Sequence, residues 1–515
     1  MVTTTVALGL TVATLVAFTA LGVWVSRGRV DSVEDLLTAR NAIGEGRMTA
    51  TLVASVMGVW ILLSAPEAGA VFGIAAVVGY AVGEAVPMLA YSKVGPRIRE
   101  VIPEGHSLTE YAYARYGTPM YAFVLAVSVF YMFVFVAAEL TGISLALALV
   151  ADVPQWQTAV LVGGFVLAYT GYGGLRASIL TDTVQALLVL PLLVVAFAGA
   201  VIALGGAGEV HAGIVATDPS LLDPTATSGL RFGAALALAI LGAELINQTW
   251  WQRIYAGANA STVARGFRSA AVANGLIVLL AALFGVVAVG ATTVETPAVA
   301  FFELLGSAFP EPIVLGVVLL ALLLVMSSVD TLFNALASVV TADLPRLLDD
   351  PDDRTLALGA RSLTVAVAVG AVAVSLRARS VLELFLFADL LGAAVAVPLL
   401  YGLFSGRLTG RGALAAGVAG LLVGAAYFPF PLGIGGALRS LPVLGDLLPA
   451  PDGLYLTAFA GAFLVSGLLT VVLARTASGE YDFDRLTREI RRLDEPATDG
   501  GRSIAGDDPE EEVRD

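Results

Sequence analysis

The sequence predicts an all-α polytopic membrane protein with about 13 transmembrane helices. Hydrophobic residues occupy 58% of the 515 positions and charged residues only 14%, whereas a soluble domain is about half apolar and about a quarter charged. The apolar residues fall into blocks of roughly 20, the length that a helix needs to cross a bilayer core. Because backbone groups in lipid must be paired within their own segment, we interpret these blocks as helices.

The predicted helices follow one another through a transmembrane domain that spans 1–476. The first block lacks the basic start and small-residue end of a signal peptide, so we expect it to be retained as a helix. The predicted spans are 5–25, 48–72, 74–94, 119–150, 157–175, 178–204, 230–256, 267–293, 312–341, 357–377, 380–404, 411–428 and 455–475. The outer loops, which we expect to carry short helices, are 205–229, 295–311 and 429–454. An acidic cytoplasmic tail, 477–515, should hold a short helix near 483–493 and then be disordered.

Basic residues predict the orientation in the membrane. An odd number of spans puts the two termini on opposite sides, and 24 of the 28 lysines and arginines fall in segments on one side. Cytoplasmic loops are enriched in these residues. We therefore expect a multi-pass protein of the cell (plasma) membrane with its N-terminus outside and its C-terminus in the cytoplasm.

The composition excludes several classes of function. The chain has no cysteine and only two histidines, His106 and His211, which excludes disulfide frameworks, zinc sites and cysteine nucleophiles. A net charge of −14 argues against nucleic acid as a partner. We find no catalytic constellation or phosphate loop, so the chain is not expected to be an enzyme or to need a cofactor.

Carboxylates inside the apolar spans are the most informative residues. They are Glu67, Glu84, Glu139, Asp182, Glu244, Asp330 and Asp389. Each is costly to bury in lipid and is expected to face a cavity or a partner. Few basic residues lie in the spans, so a bound cation is the natural partner; the alternative is that some are protonated or reach water at helix ends.

Two spans carry features of a site for a small cation. The second span contains Gly58 and Pro66 among small polar residues, which weaken a helix and can free carbonyl oxygens. The ninth span contains Ser327, Ser328 and Asp330, whose hard oxygens suit Na⁺. The alternatives are a simple proline kink and hydroxyls that bond back to the preceding turn.

Three motifs resemble those of the sodium:solute symporter family. The run Gly-Gly-Leu-Arg-Ala-Ser-Ile-Leu-Thr-Asp-Thr-Val-Gln at 173–185 resembles its Gly-Gly-Leu-x-Ala…Thr-Asp-x-x-Gln pattern. The run Asn-Gln-Thr-Trp-Trp-Gln-Arg at 247–253 is similar to its Asn-Gln…Gln-Arg motif. Ser327 and Ser328 with Asp343 are similar to its hydroxyl pair and following Asp. The motifs occur in the family's order and spacing, and the resemblance covers about 30–405.

The resemblance implies a LeuT-type fold and a sodium site. The fold is a five-plus-five inverted repeat, about 48–204 and 230–404, with one extra N-terminal and two extra C-terminal helices. The implied Na⁺ ligands are the carbonyls of Ala54, Met57 and Leu324 and the hydroxyls of Ser327 and Ser328. Ion coupling would involve Asp182 and Asp330. The substrate path would include Ser55, Gly58, Trp60, Glu67, Glu84, Glu139, Glu244 and Asn247.

The function that the resemblance implies is Na⁺-coupled symport of a small organic solute by alternating access. Met57, Trp60 and Pro66 resemble the proline transporters, so an amino acid such as proline is favoured, although Val56 departs from their pattern and Ala243 departs from that of sugar transporters. The membrane glutamates favour a polar, neutral or amine-bearing solute over an anion. The alternatives are a Na⁺/urea-type or carboxylate symporter, a proton-coupled carrier on the same fold, and a transporter-like sensor. The expected partners are the solute, Na⁺ and the lipid bilayer, with the chain as a monomer.

Overall fold

The computed structural model describes residues 3–26, 39–347, 353–429, 436–437, 440–442 and 454–490. These residues are almost entirely helical, and the β contact among them is an isolated bridge between Ile43 and Gly257. The helices are α1 Thr4–Ser26, α2 Glu45–Ala54, α3 Ser64–Val101, α4 Leu108–Tyr116, α5 Thr118–Ala151, α6 Gln155–Ala203, α7 Ala207–Thr217, α8 Thr227–Leu245, α9 Gln248–Ala256, α10 Ala260–Ala291, α11 Ala300–Ala308, α12 Glu311–Leu347, α13 Asp353–Ser375, α14 Val381–Tyr401, α15 Gly410–Tyr427, α16 Leu454–Thr476 and α17 Asp484–Glu489.

Most predicted elements have counterparts in the structure. Short helices α7 and α11 lie in the first two outer loops, and α17 lies near the predicted helix of the tail. The third outer loop is largely outside the described residues, as is the tail from 491. Within the described part, nine helical stretches are long and apolar enough to cross a membrane, and a tenth counts if two segments bent by 78° form one span. The all-α polytopic class is thus confirmed, while the number of 13 spans stays a prediction.

The first repeat begins with a helix that is broken in its middle. Helix α2 ends at Ala54, a single 3₁₀ turn forms at Val59–Leu62, and α3 resumes the helix at Ser64. We call α2, the connecting residues and the first part of α3, up to 72, the first broken helix. Gly73, with a φ of 70°, ends it and separates it from the next span, as the sequence predicts.

The second repeat begins with a break that the sequence analysis missed. The predicted span 230–256 is two helices, α8 and α9, separated at Ile246 and Asn247. Asn247 has extended backbone dihedrals, and its side chain accepts a hydrogen bond from the Thr249 backbone N–H. This is the usual role of asparagine at a helix start, so Asn247 itself was the signal for the break.

The boundary predicted between the spans 157–175 and 178–204 does not appear as an interruption of the helix. The structure forms one helix, α6, through the whole of Gln155–Ala203. A glycine inside a helix costs only about 1 kcal/mol relative to alanine, and apolar residues on both sides favour its continuation.

The segments predicted to lie in the cytoplasm meet at one end of the molecule. Arg40 donates hydrogen bonds to the carbonyls of Pro103 and Gly105 at 2.8 and 2.9 Å. Arg115 donates to the Gly402 carbonyl at 3.2 Å, and Tyr481 of the C-terminal segment donates to the carbonyl of Ala114 at 2.9 Å. These contacts agree with a common side for the predicted inner segments.

Candidate functional site

Three carboxylates from three helices share one buried pocket. Glu84 comes from α3, Glu244 from α8 and Asp389 from α14, and each is at most 6% exposed. We call the surrounding set the acidic pocket. It is lined by Trp60, Tyr80, Glu84, Tyr131, Phe135, Ile240, Ala243, Glu244, Phe385 and Asp389.

The carboxylates differ in their hydrogen bonds. Glu244 accepts one from the ring N–H of Trp250, and longer ones of 3.4 Å from the Asn247 amide and the Tyr131 hydroxyl. Glu84 Oε2 is buried and has no partner among the described residues. No lysine or arginine of the described chain forms an ion pair with Glu84, Glu244 or Asp389. The pocket therefore groups three acidic side chains without an ion-pairing lysine or arginine among the described residues.

Aromatic rings form the walls of the acidic pocket. The Trp60 ring stacks with Tyr80 at a centroid distance of 6.1 Å. Phe385 packs edge-on against the same Trp60 ring at 5.7 Å. Phe385 also packs edge-on against Phe135 at 4.9 Å. The remaining cavity is about 20 Å³, the space of about one ordered water molecule. The pocket must widen before it can hold an organic solute.

The break in the first broken helix lies beside the serine pair of α12. Ser328 Oγ donates to the Val325 carbonyl at 3.1 Å, and its hydroxyl also lies beside the Glu139 carboxyl group. Glu139 Oε2 in turn accepts the Val59 backbone N–H at 2.9 Å. One carboxylate of α5 thus bridges the break and α12.

The residues implied as Na⁺ ligands lie in these two segments. Ala54 and Met57 are buried at the break, and Ser327 and Ser328 are buried in α12. Leu324 lies one turn before Ser328 in α12. Carbonyl and hydroxyl oxygens on two facing segments suit a hard monovalent cation such as Na⁺, so the residues present fit the implied ion.

The other predicted site residues are distributed along the structure. Ser55 and Gly58 lie in the break itself. Glu67 lies in the first turn of α3, after the break, where the Ser380 hydroxyl donates to its two oxygens at 3.0 and 2.9 Å. Asp330 accepts from the Asn334 amide at 3.4 Å. The side chains of Asp182 and Asp343 lie outside the described part of the chain.

The structure adds residues to the site and regroups others. Asp389 joins Glu84 and Glu244, and Tyr131 and Trp250 contact Glu244. Glu139 lies at the break with Ser328 instead of lining the acidic pocket. For Asp389 and Glu139 an acidic residue in an apolar span was the visible signal, but the sequence does not tell which of the acidic residues share a cavity.

Comparisons with known proteins identify a family model and several transporters that this chain resembles. The family model described as the sodium:solute symporter family matches residues 37–420. The spermidine transporter DUR31 of Candida albicans is 26% identical over 491 residues, which are 91% of this chain and 90% of that protein. The urea-proton symporter DUR3 of Oryza sativa subsp. japonica is 25% identical over 181 residues, 35% of this chain and 25% of that protein. The sodium/pantothenate symporter of Escherichia coli is 32% identical over 120 residues, 23% and 25% of the two chains.

Solved structures share the fold. A Na⁺-coupled sialic acid symporter, in a substrate-bound outward-open state, superposes with a TM-score of 0.74 at 16% identity, over 92% of this chain and 98% of that chain. The inward-facing conformation of the transporter Mhp1 superposes with a TM-score of 0.56 at 14% identity, over 90% and 99% of the two chains. At such identities the likeness concerns the fold alone. All these proteins are transporters, in agreement with the prediction that the chain is not an enzyme.

Proposed function

The chain belongs to the sodium:solute symporter family, and from this premise we propose that it couples Na⁺ entry to the uptake of a cationic organic amine. A polyamine is the best-supported class of solute. The observation that carries this proposal is the acidic pocket, in which three buried carboxylates meet aromatic rings. The transport cycle is alternating access, with the pocket opened in turn to the two sides of the membrane.

The charge of the acidic pocket favours an amine. A buried carboxylate costs several kcal/mol unless it is paired, and Glu84, Glu244 and Asp389 have no basic partner among the described residues. A solute with ammonium groups supplies the missing positive charge. An amino acid such as proline would bring a carboxylate of its own into this negative pocket, so the earlier preference for proline has no support here.

The aromatic walls favour an amine for a second reason. An ammonium group over the face of an aromatic ring is attracted by about 0.5–2 kcal/mol, most strongly over tryptophan. Trp60, Tyr80 and Phe385 offer such rings next to the carboxylates. Polyamines combine ammonium groups with short apolar linkers, and the pocket combines carboxylates with aromatic rings.

The relatives support the same solute class. The spermidine transporter is similar over nearly the whole of both chains, whereas the urea-proton symporter is similar over 35% of this chain. Fold and family alone do not fix a substrate. The support comes from the agreement between this relative's solute and the chemistry of the pocket.

The ion site supplies the coupling. In this proposal Na⁺ binds the carbonyls of Ala54, Met57 and Leu324 and the hydroxyls of Ser327 and Ser328, and so holds the first broken helix against α12. One charge that crosses the membrane contributes about 2.3 kcal/mol per 100 mV. The ion shifts the conformational equilibrium only by its difference in affinity for the two states, and a site shared between two helices provides such a difference.

Uptake by purified protein in liposomes tests the proposal. Labelled spermidine, putrescine, urea, proline and pantothenate are offered with an inward Na⁺ gradient, with a proton gradient alone, and with neither. We expect accumulation of the amines only with the Na⁺ gradient. Asp389→Asn should lower amine affinity by about tenfold or more, because losing an interaction with a charged group costs about 1.5–3 kcal/mol. Glu209→Gln, the same change of acid to amide at an exposed residue, is the control.

The other outcomes identify the alternatives. Urea uptake with a proton gradient alone would contradict both the solute and the ion. Proline or pantothenate uptake without amine uptake would contradict the role of the acidic pocket but not the ion site. Amine binding without uptake would identify a transporter-like sensor.

A further inference from the structure

Glu139 is a fully buried carboxylate that the proposed amine site does not use. It lies in α5, is 0% exposed and is absent from the lining of the acidic pocket. Its Oε2 accepts the Val59 backbone N–H at 2.9 Å. Its Oε1 is buried and has no hydrogen-bonding partner among the described residues.

The free oxygen of Glu139 touches the backbone of the break. A Cβ atom placed on Gly58 would lie 1.7 Å from Oε1 and 2.7 Å from Oε2, so the carboxylate fills the space that any larger residue at 58 would need. The Ser328 hydroxyl contacts the same carboxylate from α12. A carboxyl oxygen therefore lies between the two segments that carry the carbonyl and hydroxyl oxygens of the ion site.

We propose that Glu139 is a charged ligand of the Na⁺ site at the helix break, an inference that rests on the ion site of the proposed function. An ionised carboxylate in a buried, low-dielectric position needs a positive partner, and no lysine or arginine of the described chain forms an ion pair with it. Na⁺ is a hard cation that takes carboxylate, carbonyl and hydroxyl oxygens together. With Glu139 as a ligand, the protein neutralises the bound ion before any solute is present.

This role differs from a structural one in a way that can be measured. If Glu139 only held the break through the bond from Val59, glutamine would serve equally, because its carbonyl oxygen accepts the same bond. A glutamine has no charge to offer a cation. Glu139→Gln thus separates the two roles.

The first experiment is a Na⁺ titration of the purified transporter without any amine. Intrinsic tryptophan fluorescence reports binding, because Trp60 directly follows Val59, and KCl keeps the ionic strength constant. We expect Glu139→Gln to raise the half-saturating Na⁺ concentration by about tenfold or more, and Glu139→Asp, which keeps the charge, to raise it less. Glu209→Gln should titrate like the wild type. A Glu139→Gln protein that binds Na⁺ with wild-type affinity would overturn the proposal.

A second measurement uses the unaltered protein and does not depend on the folding of a variant. A hydrophobic carbodiimide modifies buried carboxyl groups, and mass spectrometry of the peptides quantifies modification at Glu139. We expect Na⁺, but not K⁺, to slow this reaction. Equal rates in the two salts would contradict a ligand role for Glu139.

Failure of this inference and failure of the proposed solute are distinguishable. The titration and the carbodiimide reaction contain no amine, so they stand even if no amine is transported. Conversely, Na⁺-driven amine uptake that is unaffected by Glu139→Gln would leave the solute assignment intact and remove Glu139 from the ion site.

Discussion

Glu84 and Glu244 lie in the same pocket but differ in what already stabilises them. Three donors, from Trp250, Asn247 and Tyr131, surround the carboxylate of Glu244, whereas Glu84 Oε2 has no partner among the described residues. Hydrogen bonds to an ionised group stabilise its charge. An ammonium group would therefore stabilise Glu84 more than Glu244, because the hydrogen bonds of Glu244 already hold its carboxylate in place.

We expect Glu84→Gln to weaken amine binding more than Glu244→Gln. Loss of a charged partner costs about 1.5–3 kcal/mol, which corresponds to an increase in the KM for the amine of about tenfold or more. Glu244→Gln should have a smaller effect on KM and a larger one on thermal stability, since it disturbs three existing hydrogen bonds. Initial rates of spermidine uptake and melting in detergent give the two readouts, and the reverse ranking would contradict the assignment.

The close contact of the Glu139 carboxyl group leaves no room for a side chain at Gly58. A Cβ at this position would lie 1.7 Å from Oε1, so Gly58→Ala must displace the carboxylate or the break. Overpacking of this kind costs about 1–3 kcal/mol, and we expect lower thermal stability together with weaker Na⁺ binding. Gly46→Ala in α2, where no atom lies within 4 Å of the added methyl group, is the matched control. Unchanged Na⁺ binding by Gly58→Ala would argue against the close contact.

Elements differ in how far the sequence could predict them. The break at Gly58 was predictable because glycine, proline and small polar residues interrupt an apolar span, and each local choice weakens the helix. The break at Asn247 rests on one capping residue, placed where the apolar α8 gives way to the more polar α9. The boundary predicted between the spans 157–175 and 178–204 is the opposite case, since Gly171, Gly173 and Gly174 do not interrupt a helix that apolar neighbours on both sides favour.

The site was predictable in its chemistry but not in its grouping. Burial in lipid makes every membrane carboxylate a candidate for function, and Glu84, Glu139 and Glu244 were identified on that ground. The structure puts Glu139 with Ser328 and Asp389 with Glu84 and Glu244. Such groupings depend on how α3, α5, α8 and α14 pack together, which spacing along one helix does not specify.

The C-terminal segment contacts elements that are distant from it in sequence. The Tyr481 backbone N–H donates to the Gly406 carbonyl at 2.9 Å, and its hydroxyl donates to the Ala114 carbonyl at 2.9 Å. The Arg115 guanidinium lies over its ring, 4.4 Å from the centroid. Tyr481 therefore fastens the segment after α16 to α4 and to the residues that follow α14.

Substitutions of Tyr481 should separate these contacts. Tyr481→Phe removes only the bond to Ala114 and should cost about 0.5–1.5 kcal/mol, while Tyr481→Ala also removes the ring beneath Arg115 and should cost more. Melting in detergent measures both. Tyr401→Phe removes a hydroxyl that has no partner in the described chain and should leave the melting temperature unchanged. Equal melting temperatures of Tyr481→Ala and the wild type would contradict a stabilising role of the contacts of Tyr481 with Ala114 and Arg115.

At the scale of the whole molecule, the first broken helix lies beside two groups of acidic side chains, one around Glu139 and one in the acidic pocket. The first broken helix contributes Val59 to the contact with Glu139 and Trp60 to the acidic pocket. The oxygen atoms around Glu139 suit a small cation, and the aromatic-lined acidic pocket suits an organic cation. Because adjacent residues serve both, a movement of this helix would alter both affinities together, which is the differential binding that coupling requires.

The orientation of the molecule in the membrane is open to a direct test because the chain contains no cysteine. The positive-inside rule predicts that α7 lies outside and that the segment before α17 lies in the cytoplasm. Gly208 in α7 and Gly479 before α17 are both exposed, with open space where a side chain would begin, so a single cysteine at either position should leave the fold unchanged. In intact cells a membrane-impermeant maleimide should label Gly208→Cys, and it should label Gly479→Cys only after the membrane is permeabilised. The cysteine-free parent gives the background, and the opposite pattern would place the N-terminus in the cytoplasm, with the acidic pocket and the ion site inverted relative to the sodium gradient.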